Sequence, residues 1–224
     1  MRQRSSDGFA LIVVLLAIMI LSALGSGLVL TTSTESRIAV NFGASAEGLD
    51  AAEAIVELSL AEIVAVPDWN QLLNGSVRSS FVDGAPVGSR QLTDGSAIDL
   101  SQVVNMANCE APTPCTAADM DVATTDRPWG PNNPRWQPYA HGRLSDVLPG
   151  QIDSPFYVIL LVADDPAEND NDPGADGSTG TNPGSGVIAL RAEAFGVGGT
   201  HKAVELTVAR DGGNARVLTW HEVR

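Results

Sequence analysis

The 22 residues from Phe9 to Leu30, FALIVVLLAIMILSALGSGLVL, carry no charged side chain. As a helix they extend about 33 Å, which matches a hydrocarbon core of roughly 30 Å. The apolar region of a cleavable secretory signal is shorter, roughly 7 to 15 residues, and a small-residue cleavage site follows it. Here no clear A-x-A follows, and the chain runs straight on into helix-forming sequence. Arg2 and Arg4 precede the run, whereas Glu35 and Arg37 behind it bring no positive excess. This asymmetry predicts a cytoplasmic N-terminus, with the remainder of the chain across the membrane.

Beyond the polar patch TTSTES, residues 37 to 66 keep a helical period. Ile38, Phe42, Leu49, Ala52, Ile55, Val56, Leu58, Ile63 and Val66 recur at spacings of mostly three and four, with Glu47, Asp50, Glu53, Glu57 and Glu62 between them. The pattern predicts an amphipathic helix that Pro67 ends, with an apolar stripe that needs a sheet to lie against. Gly25 and Gly27, close to Ser22 and Ser26, mark a weak place in the helix, because glycine costs about 1 kcal/mol in a helix interior. Close packing against a neighbouring helix and local melting are both open readings of it.

The head must then follow from residue 67. Phe156 to Ala163 is continuously apolar between Pro155 and Asp164, which predicts a central strand covered on both faces. GVIALRAEAFG alternates Ile188, Leu190, Ala192 and Ala194 with a face containing Arg191 and Glu193. KAVELTVAR alternates Val204, Leu206 and Val208 with Glu205 and Thr207, and GVGGT joins the two as a hairpin turn. The tail from Asp211 is either one more strand or loose. Upstream, VRSSFVDG and RQLTDGSAIDLSQVV read as two short strands around Asp-Gly turns. TDRPWGPNNPRWQPYAHGRL reads as an irregular surface loop. Its Trp129, Trp136 and Tyr139 either form an exposed contact surface or staple the loop to the core. The expected fold class is α+β, a long N-terminal helix on an antiparallel sheet.

Few cations are available: 13 Lys and Arg stand against 27 Asp and Glu, for a formal charge of −14. A nucleic-acid backbone needs clustered cations, so no nucleic-acid partner is expected. The two cysteines, Cys109 and Cys115, bracket a short loop with two prolines and lack the spacing of a redox or metal motif. Outside the cytoplasm they are expected as a disulfide; otherwise they are free thiols.

Asp164, Asp165, Glu168, Asp170, Asp172 and Asp176 crowd into 13 residues of ADDPAENDNDPGADGSTG. Hard cations such as calcium take six to eight oxygen ligands from such loops. The spacing is not that of an EF-hand, since Pro173 stands where glycine is needed and Thr179 where the twelfth-position glutamate belongs. A solvated acidic loop is the other reading. No GxSxG, HExxH, phosphate-binding loop or dinucleotide fingerprint is present. His141, His201 and His221 stand apart, in a loop, a hairpin and the tail, and are expected at the surface. No enzymatic activity is expected.

A basic leader ending in Gly8, followed at once by Phe9 and a long apolar run (RQRSSDG/FALIVVLLAIMIL), resembles the class III signal of type IV pilins and pseudopilins. The resemblance implies cleavage between Gly8 and Phe9 by a prepilin peptidase, then N-methylation of Phe9. It divides the chain into leader 1–8, helix 9–66 with 9–30 transmembrane, and a periplasmic or extracellular head 67–224. The retained helix would first anchor the subunit in the inner membrane and then enter a filament core, with other pilin subunits as partners. NFGASAEGLDAAEAIVELSLAEI is similar to the N-terminal region of PilX-type pilus assembly proteins. Most major pilins of the family carry glutamate at the fifth mature position, where it pairs with a neighbour's N-terminal amine; here that residue is Val13. Unpaired charge is expensive in hydrocarbon, and K-type tip subunits of type II secretion also lack this glutamate. The resemblance therefore implies a minor subunit in pilus assembly or pilus-mediated adhesion. The alternatives are a K-type tip pseudopilin and a signal-anchored periplasmic binding domain or enzyme.

Overall fold

The computed structural model describes residues 7–147, 150, 153–168, 170–177 and 185–223. Most of the leader, residues 1–6, lies outside the described residues. The first element is a single helix, α1 (Asp7–Ala65). The chain divides into two compact units at Ala44 and Ser45. In the first, the helix bares its apolar side chains, Leu16, Met19, Leu24 and Leu28 among them, and it is long and apolar enough to cross a membrane. Ser26, Thr31, Thr32 and Thr34 each donate to the carbonyl four residues back, at 2.9 to 3.0 Å. Their hydroxyls are thereby satisfied within the helix. The helix runs unbroken through Gly25 and Gly27.

The second unit begins at Ser45 and contains the head. In chain order its further elements are α2 (Asn70–Leu73), β1 (Ser89–Gln91), β2 (Ala97–Asp99), α3 (Leu100–Cys109), α4 (Ala117–Met120), β3 (Gln137–Arg143), α5 (Leu144–Val147), β4 (Tyr157–Asp164), β5 (Val187–Phe195), β6 (His201–Asp211) and β7 (Asn214–Val223). Strands β3 to β7 form one antiparallel sheet in the order β3-β4-β5-β6-β7, while β1 and β2 pair separately. The fold is α+β, as expected.

Strand β4 is buried at all eight positions, and the alternation of side chains explains why. Val158, Leu160 and Val162 face the core shared with Ala52, Ile55, Val56 and Ile63 of α1. Ile159, Leu161 and Ala163 point the other way, into a second cluster with Leu100, Val103 and Ala107 of α3 and with Trp136. The sheet is thus the middle of three layers. Each fully buried leucine here is worth about 2 kcal/mol in transfer from water. On β5 and β6 the alternating positions Ile188, Leu190, Val204, Leu206 and Val208 all lie in the cluster on the α1 side.

The segment between α1 and β4 differs from its sequence reading. VRSSFVDG makes no strand; only Val82 forms an isolated bridge, to His141. An Asp-Gly hairpin lies inside the next segment, with Arg90 opposite Ile98. LSQVV opens α3 instead of extending a strand, because the Asp99 carboxylate accepts from the amides of Ser101 and Gln102 and caps the helix. The apolar spacing of Leu100, Val103 and Ala107 is helical. QPYAHGR is strand β3, not loop. Tyr139 and Trp136 are buried, so these two aromatics staple the segment, while Trp129 stays exposed. The tail is strand β7, at the sheet edge.

Candidate functional site

The acidic segment leaves the end of β4 and returns at β5. The structure brings three of its six carboxylates together: oxygen atoms of Asp164, Glu168 and Asp176 all lie within 4.8 Å of one another. Asp164 is the last residue of β4, which fixes it to the sheet. The Glu168 amide donates to the Asp165 carbonyl (3.0 Å), and this turn swings the Glu168 side chain back toward the strand end. The amide of Gly177 donates to Glu168 Oε2 (3.0 Å), and that of Gly186 to Asp176 Oδ1 (2.6 Å). A Cβ on Gly177 would sit 1.5 Å from Glu168 Oε1, so only glycine permits this approach. The Asp176 amide in turn donates to Asn70 Oδ1 (2.9 Å), tying the loop to α2.

Asp164 is 4% exposed, and its Oδ1 has no hydrogen-bond partner among the described residues. Burial, and then the Glu168 charge, push its carboxyl up to about 8. Burial also raises Glu168 and Asp176, although backbone amides and, for Asp176, the Arg210 charge pull the other way. The other three carboxylates are used differently. Asp165 is buried, accepts from the Ala167 amide and is raised by burial. Asp170 and Asp172 are outside the cluster and accept from the amides of Asp172 and Gly174, closing local turns.

Cys109 and Cys115 form a disulfide, which links the end of α3 to the segment before α4. Gly8 and Phe9 fall within the first turns of α1, and Phe9 is exposed. Of the histidines, His141 departs from expectation. It lies in β3, is buried, and neither ring nitrogen has a hydrogen-bond partner among the described residues. Burial lowers its pKa. The neighbouring Gly142 receives the Phe81 ring, which a Cβ would meet at 2.7 Å, so this strand is covered by a ring that the sequence pattern did not reveal.

A second feature escaped the sequence reading. On the face of the sheet that carries α3, a groove of about 840 Å³ is lined by Arg191, Glu193, His201, Glu205, Trp129 and Trp136, among others. Arg191 donates to Glu193 and to Glu205, both at 2.6 Å, and His201 Nε2 lies 2.7 Å from Glu193 Oε2. Burial favours the neutral form of Glu193, but hydrogen bonds from His201 and Arg191 outweigh it and lower its pKa. These charges satisfy one another, so the groove holds a structural network. The alternation of β5 placed Arg191 and Glu193 on one face, but their partners come from β6. Comparison with family models, with curated proteins and with solved structures finds no match.

Proposed function

We propose that this chain is a minor pilin-like structural subunit of the PilX type, without enzymatic activity, that takes part in type IV pilus assembly or pilus-mediated adhesion. In this reading α1 anchors the subunit in the inner membrane, meets other pilin subunits along its exposed apolar surface, and later carries the head to the cell surface. The observation that carries it is the junction at Gly8 and Phe9: a short basic leader meets a long apolar helix with no polar spacer. A plain anchor has no use for a cleavage signal there. The three-layer α+β head on the second half of the helix is compatible with a pilin-like fold.

The test is the mass of the N-terminal peptide from cells with and without prepilin peptidase. A peptide beginning at methylated Phe9, lost in the peptidase mutant, supports the reading. An N-terminus at Met1 in both strains refutes it and leaves a signal-anchored head. Val13 favours a second reading, a K-type tip subunit of type II secretion. Deletion of the gene separates the two: loss of surface pili with normal protein secretion supports the pilus, and the reverse supports secretion.

A further inference from the structure

The three-carboxylate cluster joins the end of a buried strand to the turns at Glu168 and Asp176. Its members are not spread over the surface: Asp164 and Glu168 are both buried. Three carboxylates, two of them buried and Asp176 half-buried, repel one another and lose hydration, so the fully ionised set needs a compensating cation. Arg210 acts on Asp176, but its guanidinium is engaged elsewhere, donating to the carbonyls of Val66 and Pro67 and lying 4.5 Å over the Trp69 ring. Among the described residues the buried Oδ1 of Asp164 is an acceptor without a donor, in the group whose oxygens converge within 4.8 Å.

That spacing suits one ion. Calcium–oxygen distances of roughly 2.3–2.6 Å place donors on opposite sides of the ion about 4.6–5.2 Å apart, and neighbouring donors closer. The donors are all oxygen, which excludes the soft metals that prefer thiolate or imidazole. A site with two of its three carboxylates on a loop can adjust to the irregular shell of calcium better than to the strict octahedron of magnesium.

We infer that Asp164, Glu168 and Asp176 form a calcium site that clamps the loop after β4 onto the end of that strand. Neighbouring carbonyls and water complete the shell. Through the Asp176 amide and Asn70, the bound ion also fixes the loop to α2, next to the end of the long helix. This inference concerns the head alone and stands independently of the filament reading.

The test uses the full chain in detergent, stripped of metal with EGTA, at pH 7.5 and constant ionic strength. Thermal unfolding and calorimetric titration are followed with calcium chloride and with magnesium chloride. At calcium tenfold above its Kd, the unfolding temperature is expected to rise by about 3–6 °C, and by less with magnesium. Asp164→Asn is expected to abolish the calcium shift while leaving the metal-free protein at least as stable as wild type, because the amide keeps the shape of the side chain and cannot ionise at the buried position. Glu168→Gln provides the same readout should Asp164→Asn fail to fold. Asp172→Asn, in the same loop but outside the cluster, keeps the shift. No calcium-dependent heat or shift in the wild type overturns the inference and leaves a cluster neutralised by protons. A shift that survives Asp164→Asn and Glu168→Gln overturns it as well.

Discussion

Arg210 on β6 closes the end of α1, and its removal gives a sharp energetic prediction. Its Nη2 donates to the Val66 carbonyl at 2.6 Å and its Nη1 to the Pro67 carbonyl at 2.9 Å, just past the helix terminus. The guanidinium also lies 4.5 Å over the ring of Trp69, which is buried and donates through Nε1 to the Ile63 carbonyl at 2.9 Å. Terminal carbonyls of a helix lack intrahelical donors; Trp69 supplies one to Ile63, and Arg210 holds Trp69 and the two carbonyls that follow the helix. Hydrogen bonds from a charged donor contribute about 1.5–3 kcal/mol each, less at the more exposed Pro67, and the cation–π contact about 0.5–2 kcal/mol. These terms overlap, so Arg210→Met, which keeps the apolar stem, should cost about 2–4 kcal/mol. Urea unfolding of the full chain in detergent, followed by near-ultraviolet circular dichroism, measures this without screening the charges. Asp176 also feels the Arg210 charge. The decisive measurement is therefore a double-mutant cycle with Trp69→Leu, which removes the ring and in which that contribution cancels. A coupling of about 0.5–2 kcal/mol is expected. A loss below about 0.5 kcal/mol for Arg210→Met, together with zero coupling in the cycle, would refute the clasp.

Two further outcomes follow from the same head. Reducing the Cys109–Cys115 disulfide, or replacing both residues with serine, releases a short loop and should cost about 2 kcal/mol by loop-closure entropy; urea midpoints with and without reductant test this, and equal midpoints would exclude a stabilising role. Glu193 is held below its ordinary value of 4.5, so its contribution to stability is present above about that pH and is lost as the pH falls through its lower folded value. Glu193→Gln should lower stability at pH 7 and flatten the acid limb of the stability profile. An unchanged limb would place the acid sensitivity in other carboxylates, such as Glu62, which Ser79 and Ser80 hold ionised against the opposing effect of burial.

Several elements were legible because their periodicity matches their burial. The apolar run from Phe9, the stripe containing Ala52, Ile55 and Ile63, and the alternation of Ile188 with Arg191 each fix a period and a face. The unbroken apolarity of β4 announced a strand covered on both sides, and both clusters are there. The segment before β4 was less legible. Its strand β3 carries proline, histidine and glycine, residues that read as loop, and it becomes a strand because β4 offers it an unpaired edge. His141 is buried for the same reason: tertiary packing overrides its polar character.

The sequence by itself determined the long helix, the division into an apolar and an amphipathic half, and the antiparallel hairpin of β5 and β6, because these are local patterns of period 3.6 and period 2. It also determined that six acids crowd one loop. Only the tertiary structure decided which of them meet. Asp164 is pinned by the β4 ladder, Glu168 is turned back beside Gly177, and Asp176 is held by Asn70, a residue 106 positions away in the chain. Convergence of charge at a point depends on contacts between distant segments, and no local period encodes it.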